Sequence, residues 1–203
     1  MLLAFDTSSS ACTAALFDWD GACVGRRDEL IGRGHAERLV PMIAELLAGR
    51  SPDSILVGVG PGSFTGIRVA IAAAHGLAIG WGAGLSGMSS LALLAAAAGG
   101  EGPVAAVVTG GHGELFVQEF DARTAEPLSA LRNLAPADAA AFAKAPRAMG
   151  SGAARLIEAR GWGEALEGWP SAADALKLPP SLRSLAPTPV YARAPDAKVR
   201  EAA

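Results

Sequence analysis

The chain has few basic residues, and they do not cluster. Its 203 residues contain 17 Lys and Arg against 20 Asp and Glu, which gives a formal net charge of −3. A protein that binds nucleic acid by itself carries a basic patch, because contacts with phosphates supply much of the affinity. We therefore expect no self-sufficient binding of nucleic acid. If RNA is involved, a partner protein should hold it.

Long apolar runs are also absent. The longest of them, such as Leu91 to Ala98, fall well short of the roughly 20 residues that a membrane span requires. No signal peptide precedes the first apolar segment. The composition, 51% hydrophobic with 25 glycines, suits one large or two small cores. These features predict a soluble, cytoplasmic protein with no membrane association.

Cysteine and histidine are too sparse to predict a disulfide or a metal centre. Direct pairing of the predicted hairpin sets Cys12 opposite Arg27 and Cys23 opposite Leu16, so a bridge between the two thiols is not expected. The three histidines are never three or four residues apart, and no His-Glu-x-x-His motif occurs. We predict reduced cysteines and no metal site.

A glycine-rich loop between a strand and a helix organises what is present. An apolar strand, Ile55 to Val59, leads directly into Gly-Pro-Gly-Ser-Phe-Thr-Gly-Ile-Arg at residues 60–68. Ser63 is a good N-cap for the following helix, whose dipole would favour an anion at this end. A tight strand-to-helix turn explains the same glycines without any ligand. The Lys-Ser or Lys-Thr of a P-loop is missing.

Two predicted helices carry apolar stripes at helical spacing. The stripes are formed by Leu39, Met42, Ile43 and Leu46 in the first helix and by Phe64, Ile67, Ile71 and Ala74 in the second. Pro41 should bend the first helix or confine its regular part to the downstream half. Small residues beside the second stripe would let another helix approach closely. The stripes themselves suit either an ordinary core or a docking surface.

The predicted strands fall into two similar groups. Leu2 to Phe5 ends in Asp6-Thr7-Ser8 and is followed by a hairpin over residues 12–30. After the glycine-rich segment at residues 99–103, a second hairpin covers residues 104–120. We therefore predict two α/β halves, residues 1–100 and a smaller half at 101–203 with a Pro-rich tail. A helix capped by Asp138 is expected in the second half.

The loop and its Ala- and Gly-rich helix resemble the signature of the TsaB family. Residues 34–41 are similar to the family pattern His-Ser-Glu-x-Leu-x-Pro, and residues 189–193 to its terminal Pro-x-Tyr-Leu-Arg. The resemblance implies an α/β protein of the actin-like ATPase fold, related to RNase H, with two mixed-sheet halves. It also implies a subunit of the bacterial machinery that places threonylcarbamoyl on adenosine 37 of tRNAs reading ANN codons.

The resemblance also implies partners. In TsaB proteins the two striped helices form the surface that docks on TsaD or on a second TsaB copy. The implied partner-binding residues are therefore the eight stripe residues named above. A TsaE-like ATPase and tRNA would be reached only through the complex, and a homodimer is expected in isolation. On this basis Met42→Glu and Ile71→Glu should abolish TsaD binding while leaving the fold intact.

Departures from the superfamily pattern predict a chain without catalytic residues. A glycine usually follows the first Asp by two positions, where Ser8 stands here, and Thr109 and Gly111 replace the Asp and Arg of the second hairpin. Residues 87–91 carry no histidine where TsaD has its metal ligands. No intrinsic cofactor is implied, and ATP or ADP would act only in the complex.

A degenerate nucleotide site is the remaining candidate for ligand binding. Its residues would be Asp6, Thr7, Ser8, Gly60, Gly62 and Ser63. The first three can equally serve to satisfy the amides at the end of a strand, and Asp6→Ala should then have little effect on the complex. The alternative to the subunit hypothesis is an independent phosphotransferase or peptidase-like enzyme of the same fold.

Overall fold

The chain forms two five-stranded mixed sheets, and the computed structural model describes residues 1–190. The first sheet contains β1 (Leu2–Asp6), β2 (Ala11–Phe17), β3 (Cys23–Leu30), β4 (Ser54–Gly58) and β5 (Gly84–Met88). Its spatial order is β3-β2-β1-β4-β5. The central strand β1 pairs antiparallel with β2 and parallel with β4. All seven residues of β2 are buried, whereas β3 is an exposed edge strand.

The second sheet repeats this topology. Its strands are β6 (Pro103–Thr109), β7 (Leu115–Asp121), β8 (Arg132–Leu134), β9 (Arg147–Met149) and β10 (Glu164–Leu166). The order β10-β9-β6-β7-β8 again places the first strand in the centre, antiparallel to the second and parallel to the fourth. The predicted fold class, with two similar mixed-sheet halves, is therefore confirmed.

Helices cover both sheets. They are α1 (His35–Leu47), α2 (Phe64–Trp81), α3 (Ser90–Ala98), α4 (Pro136–Phe142), α5 (Ala153–Arg160) and α6 (Pro180–Arg183). α1 and α2 share one core with the first sheet, and α4 and α5 share another with the second. α3 is apolar all round, because it lies in a core that contains side chains from both sheets.

The end of the described chain returns to the first half. Ser171 donates its hydroxyl hydrogen to Asp28, and the Ala172 N–H donates to Thr13 Oγ1 at 2.7 Å. Leu185 and Gly87 exchange two backbone hydrogen bonds of 3.0 and 2.7 Å. Residues 171–185 thus lie against the first sheet, and the division at residue 100 stays a prediction. The predicted terminal motif at 189–193 runs beyond residue 190, and the predicted disorder of 194–203 lies wholly outside the described residues.

The predicted register of the first hairpin is wrong. Cys12 lies opposite Glu29 and Cys23 opposite Phe17. The difference has two causes: the pairing is irregular between Leu16 and Phe17, and the turn extends to Ala22, whose carbonyl accepts a hydrogen bond from Asp18 N–H. Both thiols are free. Burial raises the pKa of the Cys12 thiol to about 11, so it stays protonated at neutral pH.

Two local predictions about helices also need correction. α1 is continuous from His35 to Leu47 and is not confined to the part after Pro41. Pro41 is exposed, so its ring faces solvent. Proline has no N–H to donate to the Glu37 carbonyl, but Glu37 is exposed as well, so water can bind that carbonyl instead. In α4 the N-cap is Ala135, followed by Pro136 at the first helical position. Asp138 therefore lies inside the first turn and does not cap the helix.

Candidate functional site

The glycine-rich loop is held by hydrogen bonds to the end of β1 and to the start of α3. Ser63 N–H donates to the Ser8 carbonyl at 2.6 Å, and Gly60 N–H donates to Ser90 Oγ at 3.0 Å. Ser63 Oγ accepts from Gly66 N–H at 3.2 Å, which confirms the predicted N-cap. Three of the loop amides, those of Gly60, Ser63 and Gly66, are thus bonded within the protein.

Two loop glycines are required by close backbone approach. A Cβ added to Gly62 would overlap the carbonyl oxygen of Ser8, and one added to Gly66 would overlap that of Thr7. Thr7 also donates its hydroxyl hydrogen to the Gly66 carbonyl at 2.7 Å. The loop and the first turn of α2 are therefore packed directly on the Asp6-Thr7-Ser8 backbone.

Asp6 is fully buried and both of its oxygens are engaged. Oδ1 accepts from the Ser8 N–H and the Ser8 hydroxyl, each at 2.7 Å. Oδ2 accepts from the Ser90 hydroxyl. These bonds join the end of β1 to the start of α3, 84 residues further along the chain. The carboxylate thus stabilises the fold at this point, and neither of its oxygens is left without a hydrogen bond.

Asp6→Ala is expected to destabilise the isolated chain by about 2–3 kcal/mol, because it leaves buried donors of Ser8 and Ser90 without an acceptor. The expectation that the substitution has little effect concerns the activity of the complex, and it stays a prediction. Urea unfolding followed by circular dichroism measures the change, with Asp20→Ala in the exposed hairpin turn as the control. Unchanged stability together with lost activity of the complex would instead make Asp6 a ligand-binding residue.

A cleft of about 250 Å³ lies between the two halves, and we call it the inter-sheet cleft. It is lined by Ser8, Ser9, Ser10, Gly32, Gly62, Ser63, Leu94, Val108, Thr109, Gly150, Ser151, Gly168, Trp169 and Pro170. Three members of the predicted nucleotide site, Ser8, Gly62 and Ser63, thus border it. Asp6, Thr7 and Gly60 lie behind this wall. No side chain in the lining carries a charge.

Seven of the eight predicted partner-binding side chains lie in the core of the chain itself. They are Leu39, Met42, Ile43, Leu46, Ile67, Ile71 and Ala74. The stripes of α1 and α2 face their own sheet, and Met42 Sδ lies 3.9 Å from Cys12 Sγ. The assignment of these side chains to a docking surface is therefore corrected. Phe64, which is 65% exposed, is the exception.

Part of the exposed side of α2 is apolar and lies outside the predicted stripe, although Thr65, Arg68 and His75 are exposed on the same helix. Ile79 is 83% exposed, and no neighbour within 4 Å would meet a Cβ at Gly76 or Gly80. Among the described helices, α2 is the one long and apolar enough to match a membrane span by length and composition, a test that core helices of soluble proteins also pass. Small residues beside the stripe were the available sequence signal.

The outer face of α1 lies beside that of α2. Val40 is exposed there, and a groove of about 500 Å³ between the first turns of the two helices is lined by residues 32–37 and by the start of α2. Arg38 joins α1 to β3 through two hydrogen bonds to the Glu29 carboxylate, and it makes two more to Glu45 within α1. The guanidinium keeps the pKa of Glu29 below its ordinary value. We call the outer sides of α1 and α2 together the helical face.

Two of the three histidines, His35 and His75, lie on α1 and α2. His35 borders the groove of the helical face, and His75 Nε2 lies 3.4 Å from the Pro187 carbonyl. Within residues 1–190, no group of three or more His, Cys, Asp or Glu side chains is placed to hold a metal ion. The expectation that the chain binds no metal stays a prediction.

Comparisons of the sequence with known proteins identify a family and several relatives. A family model described as TsaD, tRNA N6-adenosine threonylcarbamoyltransferase, matches residues 27–155. The tRNA threonylcarbamoyladenosine biosynthesis protein TsaB of Escherichia coli (strain K12) is 36% identical over 127 residues, which are 59% of this chain and 54% of that protein. Its counterpart in Haemophilus influenzae is 42% identical over 102 residues, 48% of this chain and 42% of that protein. The chain thus spans about half the length of the curated relatives it matches.

Solved structures match over nearly the whole chain. A Pseudomonas aeruginosa protein described as uncharacterised, with similarity to peptidase YEAZ, has a TM-score of 0.79 and 30% identity, covering 95% of this chain and 99% of that one. YeaZ from the same organism has a TM-score of 0.78 and 27% identity, covering 94% and 98%. The two repeated sheets and these matches define an actin-like fold of the threonylcarbamoyltransferase-related class. Within that class the chain belongs to the TsaB (YeaZ-like) family.

Proposed function

We propose that the chain is a non-catalytic subunit in the biosynthesis of threonylcarbamoyladenosine in tRNA. It binds a TsaD-like catalytic subunit and, through it, a TsaE-like ATPase, and it supports modification of adenosine 37 in tRNAs that read ANN codons. The observation that carries the proposal is its kinship with proteins named for this pathway. With a net charge of −3, the chain meets tRNA only within the complex.

The geometry of the strand ends supports a non-catalytic role. The carboxylate of Asp6 is buried and fully engaged, whereas a catalytic group must reach the reacting atoms. On the second hairpin, Thr109 donates its hydroxyl hydrogen to the Ser151 carbonyl at 3.2 Å and supplies no carboxylate. The reacting groups then belong to the TsaD-like subunit, and this chain contributes binding area and order.

The helical face is the proposed docking surface for the TsaD-like subunit. It offers exposed apolar side chains, Val40, Phe64 and Ile79, next to glycines that allow another helix to approach closely. The groove between α1 and α2 can seat a side chain of the partner. In a resting homodimer, a second copy of this chain would bind to the same face. The homodimer and the complex with the TsaD-like subunit therefore exclude each other.

Reconstitution tests the proposal. The chain is mixed with TsaD-like and TsaE-like proteins of the same organism, and threonylcarbamoyl transfer to tRNA is measured while each component is left out in turn. We expect transfer only when this chain is present, with light scattering showing a defined complex with the TsaD-like subunit. Full transfer without the chain, or phosphate transfer by the chain alone, would overturn the proposal.

Ile79→Glu is expected to weaken binding of the TsaD-like subunit at least about tenfold, because it places an unpaired charge in an apolar contact. The isolated variant should melt like the parent, since Ile79 is exposed. Leu128→Glu is the matched control, an exposed apolar residue of the second half, and should bind normally. Equal affinity of all three proteins in a calorimetric titration would show that this part of α2 is not in the interface.

A further inference from the structure

The residues of the inter-sheet cleft do not fit a metal-bound nucleotide, the ligand that the resemblance to the actin-like ATPase fold would imply. A magnesium nucleotide needs carboxylate or phosphate-binding groups. Asp6, the carboxylate at the end of β1, is buried with both oxygens engaged, and no side chain in the lining is charged. At about 250 Å³, the cleft is also smaller than the roughly 300–1,000 Å³ typical of pockets for drug-sized ligands.

Several backbone donors around the cleft are used internally. Ser63 N–H donates to the Ser8 carbonyl, Thr109 N–H to Ser151 Oγ, and Gly152 N–H to the Val107 carbonyl. A phosphate site at helix N-termini relies on free amides of this kind. The walls therefore lack cations for a chain of phosphates, and these three amides are not free to bind one.

What the cleft does present is a set of fixed hydroxyl groups. The Oγ atoms of Ser9, Ser63 and Ser151 each accept a backbone N–H, from Ala11, Gly66 and Thr109, at 3.1 to 3.2 Å. Within the described residues none of the three hydroxyl hydrogens has an acceptor, so each can donate to a ligand, and each oxygen keeps a lone pair. Such groups match a ligand that both donates and accepts, as sugar hydroxyls do, better than a phosphate that only accepts.

The rest of the lining is apolar. Leu94, Val108 and Pro170 form part of the wall, and Trp169 lies at the cleft with 44% of its surface exposed. An indole at the edge of a hydroxyl-lined cleft offers a stacking platform for a planar ring. The combination suits a small, uncharged molecule that joins an aromatic ring to hydroxyl groups.

We infer that the inter-sheet cleft binds an uncharged nucleoside, with the base stacked on Trp169 and the ribose hydroxyls bonded to the serines, and that added phosphates weaken binding. The cleft shares Gly32 and Ser63 with the groove of the helical face, but its other lining residues are its own, and the inference does not depend on the proposed function.

The test is a titration of the full chain with adenosine, AMP and ATP with Mg²⁺, followed by nuclear magnetic resonance of the indole N–H groups. The chain has four tryptophans, so Trp19, Trp81 and Trp162 serve as internal references. We expect saturable movement of the Trp169 signal with adenosine, at least about tenfold weaker binding of ATP, and no effect of Mg²⁺. No saturable adenosine binding, or ATP binding that Mg²⁺ strengthens, would overturn the inference.

A pair of variants gives the second readout. Trp169→Ala should weaken adenosine binding about tenfold, in line with the typical contribution of one stacked base, whereas Trp169→Phe should retain most of it. Trp162→Ala is the matched control, because Trp162 is similarly exposed, at 47%, but lies outside the cleft against Arg160. Thermal melting establishes that all three variants are folded. An unchanged affinity of Trp169→Ala would contradict the stacking assignment.

Discussion

Replacing Met42 by glutamate is expected to unfold the chain, not merely to detach a partner. Met42 has no exposed surface, and it packs in the core that α1 and α2 share with the first sheet. The substitution removes a buried apolar side chain and places an unpaired carboxylate in the same space, a combined cost of about 4 kcal/mol or more. The free energy of unfolding of natural domains is about 5–15 kcal/mol in total, so little stability would remain.

The measurement is chemical unfolding of the isolated chain by circular dichroism, with Val40→Glu as the control on the same helix. Val40 is exposed, so its substitution should change the free energy of unfolding by less than about 0.5 kcal/mol. Ile71→Glu on α2 should behave like Met42→Glu, since Ile71 is also buried. A Met42→Glu chain that unfolds like the parent but no longer binds TsaD-like protein would restore the α1 stripe as a partner surface.

This contrast shows what helical periodicity can and cannot establish. The spacing of Leu39, Met42 and Leu46 correctly predicts that they share one face of α1, because 3.6 residues per turn is a property of the backbone. What covers that face depends on residues far away in the sequence, such as Cys12 on β2. The outer face of α2 was predicted only in outline, as small residues beside the stripe, because periodicity does not show which of the remaining sides of a helix stays uncovered.

Local chemistry was predictable where one short segment decides it. The N-cap Ser63 depends on residues three positions apart, and the repeated strand pattern depends on runs of apolar residues. The role of Asp6 was not predictable in this way, because its partner Ser90 follows 84 residues later. The return of residues 171–185 to the first sheet likewise rests on long-range bonds, such as that from Ala172 to Thr13.

The hairpin register failed for a different reason. Direct pairing across a four-residue turn assumes that no residue is added at either strand end. The irregularity between Leu16 and Phe17 accounts for one of the two positions by which the partner of Cys12 moves, from Arg27 to Glu29. The other position comes from the turn, which holds five residues, 18–22, between Phe17 and Cys23.

Gly66→Ala is expected to cost about 4 kcal/mol, above the usual range of roughly 1–3 kcal/mol for overpacking. The added Cβ would overlap the carbonyl oxygen of Thr7, which is backbone and cannot rotate away. Thr7 is itself held to Gly66 by the bond from its hydroxyl to the Gly66 carbonyl. Relief would require moving the first turn of α2 away from β1, which would also disturb the Ser63 cap.

Gly76→Ala supplies a control in the same helix, because nothing lies within 4 Å of its added Cβ. An interior helical glycine replaced by alanine should gain about 0.5–1 kcal/mol. The two variants therefore have the same chemical change and opposite expected signs, which urea unfolding of the isolated chain resolves directly. A cost below about 1 kcal/mol for Gly66→Ala would mean that α2 can shift along the sheet. The position of the helical face would then depend on what binds it and not on the contact between Gly66 and Thr7.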